Sequence, residues 1–112
     1  MNVTRPIIEH CVDVELEAAR REHEDFHSLH EAYAVTLEEA EEAKEELKYI
    51  EEKMQDFWEC VKCDDEEAAN KVLELLERGA VDLAAEAVQV AAMARKARRL
   101  GKSENKTWFG KE

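Results

Sequence analysis

Proline and glycine are almost missing, with one Pro and three Gly in 112 residues. The 72 residues between Pro6 and Gly79 contain neither. That excludes the turn-punctuated patterns of sandwiches and barrels and predicts helix across the interval. Three cysteines, an odd number, do not close a disulfide framework within one chain. No run approaches the roughly 20 uncharged residues that span a bilayer. Met1 to Glu9 lacks the basic-then-apolar order of a signal peptide. Together these absences predict a cytoplasmic protein whose thiols stay reduced.

Basic charge is scarce as well: 16 Lys+Arg stand against 28 Asp+Glu, a net charge of −12. A sequence-independent grip on a nucleic-acid backbone needs clustered cations, so that class of partner is excluded. The charge is unevenly placed. Residues 1–94 hold 9 basic and 26 acidic side chains, net −17, while residues 95–112 hold 7 and 2, net +5.

What the chain does have is helical periodicity. A first helix is predicted from Thr4 as N-cap, with Pro6 in its first turn and Ile7, Ile8, Cys11, Val14 and Ala18 as its apolar stripe, Val12 lying off that axis. It fades over Arg21 to His27. Ser28 followed by Glu31 is a capping box. The second helix then runs about 34 residues, in one piece or two coaxial ones, on Leu29, Tyr33, Thr36 or Leu37, Ala40, Ala43, Leu47, Ile50, Met54, Phe57 and Val61. Asp64 and Asp65 before Glu66 and Glu67 read as the start of a third helix, with Gly79 as the point where it kinks or divides and Gly101 as its stop. The expectation is an all-α antiparallel bundle of three to four helices, oligomeric because so short a chain offers a small core. Residues 1–100 form one helical domain, and residues 101–112 an irregular basic and aromatic tail.

Two acidic groups stand out. In residues 80–94, twelve of fifteen side chains are apolar, which predicts a helix buried on every side but one. The exceptions, Asp82, Glu86 and Gln89, share a face. Buried there, a carboxylate needs a cation or donor to offset its desolvation. On the second helix Glu38, Glu39, Glu41 and Glu42 crowd within two turns and repel one another. Antiparallel packing brings Glu39 and Glu42 opposite Glu86 and Gln89, and hard oxygen ligands of this kind suit Mg²⁺ or Mn²⁺. Other signals are weaker: Cys60 and Cys63 lack the second pair of a zinc site, His23, His27 and His30 straddle a helix start, and Tyr33, Phe57 and Trp58 fall at core spacing.

The strings His30-Glu31-Ala32-Tyr33-Ala34-Val35, Leu37-Glu38-Glu39 and Glu86-Ala87-Val88-Gln89 resemble those of the small MazG-like proteins of bacteria and phages, over residues 28–100. That family is similar to the all-α nucleoside triphosphate pyrophosphohydrolases, which use a Glu-Glu-x-x-Glu helix and a Glu-x-x-Asp helix to hold magnesium against a triphosphate. The resemblance implies cleavage of NTP or dNTP to a nucleoside monophosphate and pyrophosphate. It puts Glu39, Glu42 and Glu86 as metal ligands, with Glu38 as ligand or base. Asp82 is a further candidate ligand, and Gln89, Lys96 and Arg95 are candidates for holding the substrate. Gln89 stands where the family usually has Asp, which lowers the charge of the site by one. Two alternatives remain open on the same scaffold: a catalytically silent nucleotide binder and an acidic helical interaction protein.

Overall fold

Each helix begins where a side chain or a fixed backbone angle favours it. In a computed structural model, describing the backbone of residues 3–108 and the side chains of residues 3–98, three helices follow in order: α1 (Arg5–Glu22), α2 (Leu29–Cys63) and α3 (Glu66–Trp108). Thr4 precedes α1 without a side-chain cap, and Pro6 supplies the preset φ of the first turn. Ser28 caps α2: its Oγ accepts from the Glu31 amide at 3.1 Å. The Glu31 carboxylate reaches one residue further back than a capping box requires, accepting from the His27 amide at 2.6 Å. At the far end Asp64 takes the left-handed conformation, φ 53°, that closes α2. The Asp65 carboxylate then caps α3 by accepting from the Ala68 amide at 3.1 Å. One aspartate ends a helix and the next begins one.

Three expectations change. The helix count among the described residues is three, since neither α2 nor α3 is divided. Gly79 does not break α3, because the ring of Tyr49 and the Ile50 side chain lie against it and use the room that a Cβ would fill. The stop expected at Gly101 is also absent: α3 continues to Trp108. A helical Gly costs only about 1 kcal/mol, and no Pro follows. The side chains of the tail lie outside the described residues.

α2 and α3 form a long antiparallel hairpin, and α1 lies against the C-terminal half of α3. The shape is a rod of 67 × 29 × 29 Å. The core is confined to one end, where Val12, Leu16, Phe26, Ala32, Ala92 and Met93 are buried together. Among the described residues, no helix is long and apolar enough to cross a membrane.

Within the hairpin both helices contact through a heptad-like seam of four- and three-residue steps. On α2 it comprises Ala32, Thr36, Glu39, Ala43, Glu46, Ile50, Lys53, Phe57 and Cys60, all buried or half-buried. On α3 it comprises Val72, Leu76, Gly79, Leu83, Glu86, Val90, Met93 and Ala97, likewise withdrawn from solvent. The single apolar stripe expected on α2 is thus split into two adjacent seams. Its inner half carries Glu39 and Glu46, while Tyr33, Leu37, Leu47, Met54, Trp58 and Val61 stay exposed. Residues 80–94 are not buried on all sides either, since Val81 is 63% exposed and Ala80, Ala84, Ala87, Ala91 and Ala94 face solvent. Among the described residues only α1 and α2 cover α3, and two neighbours cannot enclose a helix.

Candidate metal centre

Glu39 and Glu86 belong to the facing seams of α2 and α3, and Glu42 is one turn past Glu39, so the antiparallel hairpin gathers three carboxylates from two helices. Their oxygens lie within 4.8 Å of one another. Glu86 Oε2 is buried and has no hydrogen-bond partner among the described residues. Burial pushes the Glu86 carboxyl above its ordinary value, and the charges of Glu42 and Glu39 push it the same way. Glu39 is raised by burial first, then by Glu42, Glu38 and Glu15. The last of these belongs to α1, and sequence reasoning did not find it, because no periodicity says which face of α1 meets the others.

Both shifts have one physical meaning. Negative charge is concentrated where water is partly excluded, and an ionised trio is costly until a cation or proton offsets it. Three carboxylate oxygens from rigid helices, with no sulfur or imidazole among them, match the preferences of Mg²⁺ or Mn²⁺.

Beside the trio lies a cavity of about 430 Å³ between α1, α2 and α3, within the usual range for small-molecule sites. Glu39 forms part of its wall, so the carboxylate trio and the cavity are continuous. Gln89 and Lys96 also line it. Lys96 is 95% withdrawn from solvent, with 5% of its surface exposed. Its Nζ sits 4.6 Å above the Phe26 ring and, among the described residues, forms no ion pair. Phe26 was not anticipated; it lies in the polar connection, where an isolated aromatic gives no periodic signal.

The remaining candidates sit elsewhere. Glu38 is exposed on α2 and outside the trio, acting on it only through its charge on Glu39. Asp82, one turn before Glu86, is exposed and is not gathered into the cluster. Arg95 pairs with Asp13 of α1 and does not line the cavity, which makes it a tether between α1 and α3 rather than a group held ready for substrate. Cys11, Cys60 and Cys63 are free thiols. His27 bonds Glu24 at 3.2 Å on the surface, and His23 closes α1 as its C-cap. No family model, curated protein or solved structure matches this chain.

Proposed function

We propose that the protein is a Mg²⁺- or Mn²⁺-dependent nucleoside triphosphate pyrophosphohydrolase of the MazG-like kind, cleaving NTP or dNTP to a nucleoside monophosphate and pyrophosphate. One observation carries the reading: Glu39, Glu42 and Glu86, far apart in sequence, bring oxygens within 4.8 Å beside a cavity of about 430 Å³. The chain's net charge of −12 repels a free polyphosphate, so the ligand has to arrive with, or meet, a divalent cation.

In this reading the three carboxylates hold the metal, which neutralises phosphate charge and acidifies a bound water when present. Glu38, outside the trio, is available to accept a proton as general base. Lys96 has a wall position and an ammonium without a carboxylate partner among the described residues, which suit it to the phosphate chain. Gln89 offers an amide to the nucleotide. The functional form is a homo-oligomer, and the compartment is the cytoplasm.

The test is incubation with a panel of ribo- and deoxyribonucleoside triphosphates and Mg²⁺ or Mn²⁺, with pyrophosphate release measured. Release that disappears in Glu39→Ala and Glu86→Ala supports the proposal; no release with any nucleotide sinks the enzymatic part of it. Gln89 favours a second reading, a nucleotide binder that does not cut, because an amide replaces one metal-holding charge. Calorimetry showing nucleotide binding without product selects it. If the protein is instead an acidic interaction module, substitutions on the exposed acidic face weaken partner capture while those at Glu86 and Gln89 do not.

A further inference from the structure

Among the described residues α1 packs on α3 and stands apart from α2. The cavity of about 430 Å³ is the gap that this leaves, floored by α3. Its sides differ in chemistry. Toward α2 and α3 it meets Glu39 of the trio, Gln89 and Lys96, the groups that face the metal and the phosphate chain. Toward α1 it meets Glu15, Ala18, Ala19 and Glu22. The spacing i, i+3, i+4, i+7 puts all four on one face of the helix. Two alanines make a small apolar patch there, and a carboxylate stands about one turn away at each end.

Both of those carboxylates are uncommitted. Neither Glu15 nor Glu22 forms an ion pair or a side-chain hydrogen bond among the described residues. By contrast Glu24 bonds the His27 ring, and Glu31 accepts from the His27 amide. Glu15 is half-buried and Glu22 exposed, so Glu15 belongs to the interior of the cavity and Glu22 to its rim. The charge of Glu15 reaches Glu39 across the gap. Lys96 marks the cavity as a binding site and not a packing gap: its buried ammonium has only the Phe26 ring beside it, and such a group is built to meet an acceptor that a ligand brings. That stacking also takes the ring face on which a base would otherwise lie, which leaves the Ala18–Ala19 patch as the flat surface open to one.

Resting on the nucleotide reading, we propose that the α1 side of the cavity reads the base, that it selects bases carrying an exocyclic amino group, and that Glu15 is the specificity-determining residue. A carboxylate accepts hydrogen bonds and cannot donate them. Cytosine and adenine offer it an amino N–H, and guanine offers an amino and a ring N–H together. Uracil and thymine hold their one ring N–H between two carbonyl oxygens, and hypoxanthine has a ring N–H beside a carbonyl but no amino group. A carbonyl oxygen brought against a carboxylate is repelled. A base lying on the alanine patch turns its hydrogen-bonding edge to Glu15, while its phosphates run toward Glu39 and Lys96. Planar contact on one side and hydrogen bonds at the edge are how protein pockets read an isolated base.

The test is calorimetry of the full chain with Mg²⁺ and α,β-methylene triphosphate analogues, which cannot be cut at the α–β position and so report on an enzyme and a silent binder alike. The analogues of CTP and UTP form one pair, those of GTP and ITP the other. The amino-bearing member of each pair binds about tenfold tighter or more. Glu15→Gln removes most of that difference, because an amide can donate as well as accept, and the UTP analogue gains affinity. Deleting a charge near Glu39 acts on both members of a pair and cancels in their ratio. Glu22→Gln leaves both ratios as they were. Circular dichroism checks that the variants keep the fold. Equal binding of both members by the unmutated chain overturns the selection and leaves the nucleotide reading standing. A ratio that survives Glu15→Gln, or one that collapses in Glu22→Gln, overturns the assignment to Glu15. Binding of none of the four analogues overturns the proposal and the nucleotide reading together.

Discussion

Gly79 of α3 packs under the ring of Tyr49 on α2, so closely that a Cβ at Gly79 would stand 2.9 Å from Cδ2 and 3.1 Å from Cε2. The contact explains a glycine in the middle of a 43-residue helix, and it sets two effects against each other. Alanine gains about 1 kcal/mol of helix propensity, but forcing a methyl group into a filled space costs about 1–3 kcal/mol. Gly79→Ala alone is expected to lower stability by about 1 kcal/mol. In a Tyr49→Ala background the obstruction is gone, and the same substitution is expected to raise stability. Urea denaturation of the four members of the cycle measures both signs; the same sign in both backgrounds contradicts the packing argument.

The trio predicts how stability depends on pH. Glu39 and Glu86 both titrate above the ordinary 4.5 in the folded chain. The folded state then binds more protons than the unfolded one across that window, so the slope of unfolding free energy with pH is negative there. Stability from these two groups is present below the window and is lost as pH rises through it. Without divalent cations, the Tm should therefore be higher near pH 5 than at pH 7.5. Glu86→Gln and Glu39→Gln should each raise the Tm at pH 7.5 and flatten the dependence. Mn²⁺ at a hundred times its Kd should add about 2.7 kcal/mol at pH 7.5, and Glu86→Gln should remove most of that gain.

Adjacent cations on α3 should behave differently. Lys96 is buried and lines the cavity, so Lys96→Met keeps the aliphatic packing while deleting the charge. It is expected to leave the Tm unchanged or higher and to weaken triphosphate binding about tenfold or more. Arg95 and its partner Asp13 are 37% and 63% exposed at the side chain, so Arg95→Ala should cost under about 1 kcal/mol and spare nucleotide affinity. Thermal denaturation and calorimetry on both variants separate the tether from the cavity lysine.

Asp64 offers a simpler measurement. Its left-handed backbone is one that glycine enters without a Cβ penalty, and the side chain makes no hydrogen bond among those described. Asp64→Gly should raise stability by about 0.5–1 kcal/mol, whereas Asp65→Gly, which deletes the cap of α3, should lower it. Opposite signs at neighbouring aspartates are readable in one denaturation series.

Helix starts were legible because capping is local chemistry: Ser28 with Glu31, and Asp65 before an acidic first turn, needed no knowledge of the rest of the fold. The meeting of Glu39 and Glu42 with Glu86 was legible too, because a short link forces α2 and α3 to run antiparallel. The rest depended on which neighbour each face meets, and periodicity carries no such information. It merged two seams of α2 into one stripe and assigned Arg95 by its charge alone. It also took an alanine-rich stretch of α3 as enclosed when nothing among the described residues encloses it.

The buried core at one end of the 67 Å rod has a consequence for how the molecule comes apart. Amides around the Asp64 turn are held by two helices and little else, so they exchange with solvent through local openings. Those near Ala92, wedged between α1 and α2, wait for the whole chain to unfold. Protection should therefore rise steadily along the hairpin from tip to base. Anything seated on the hairpin's length levels that gradient, and its slope becomes a gauge of occupancy that needs neither substrate nor label.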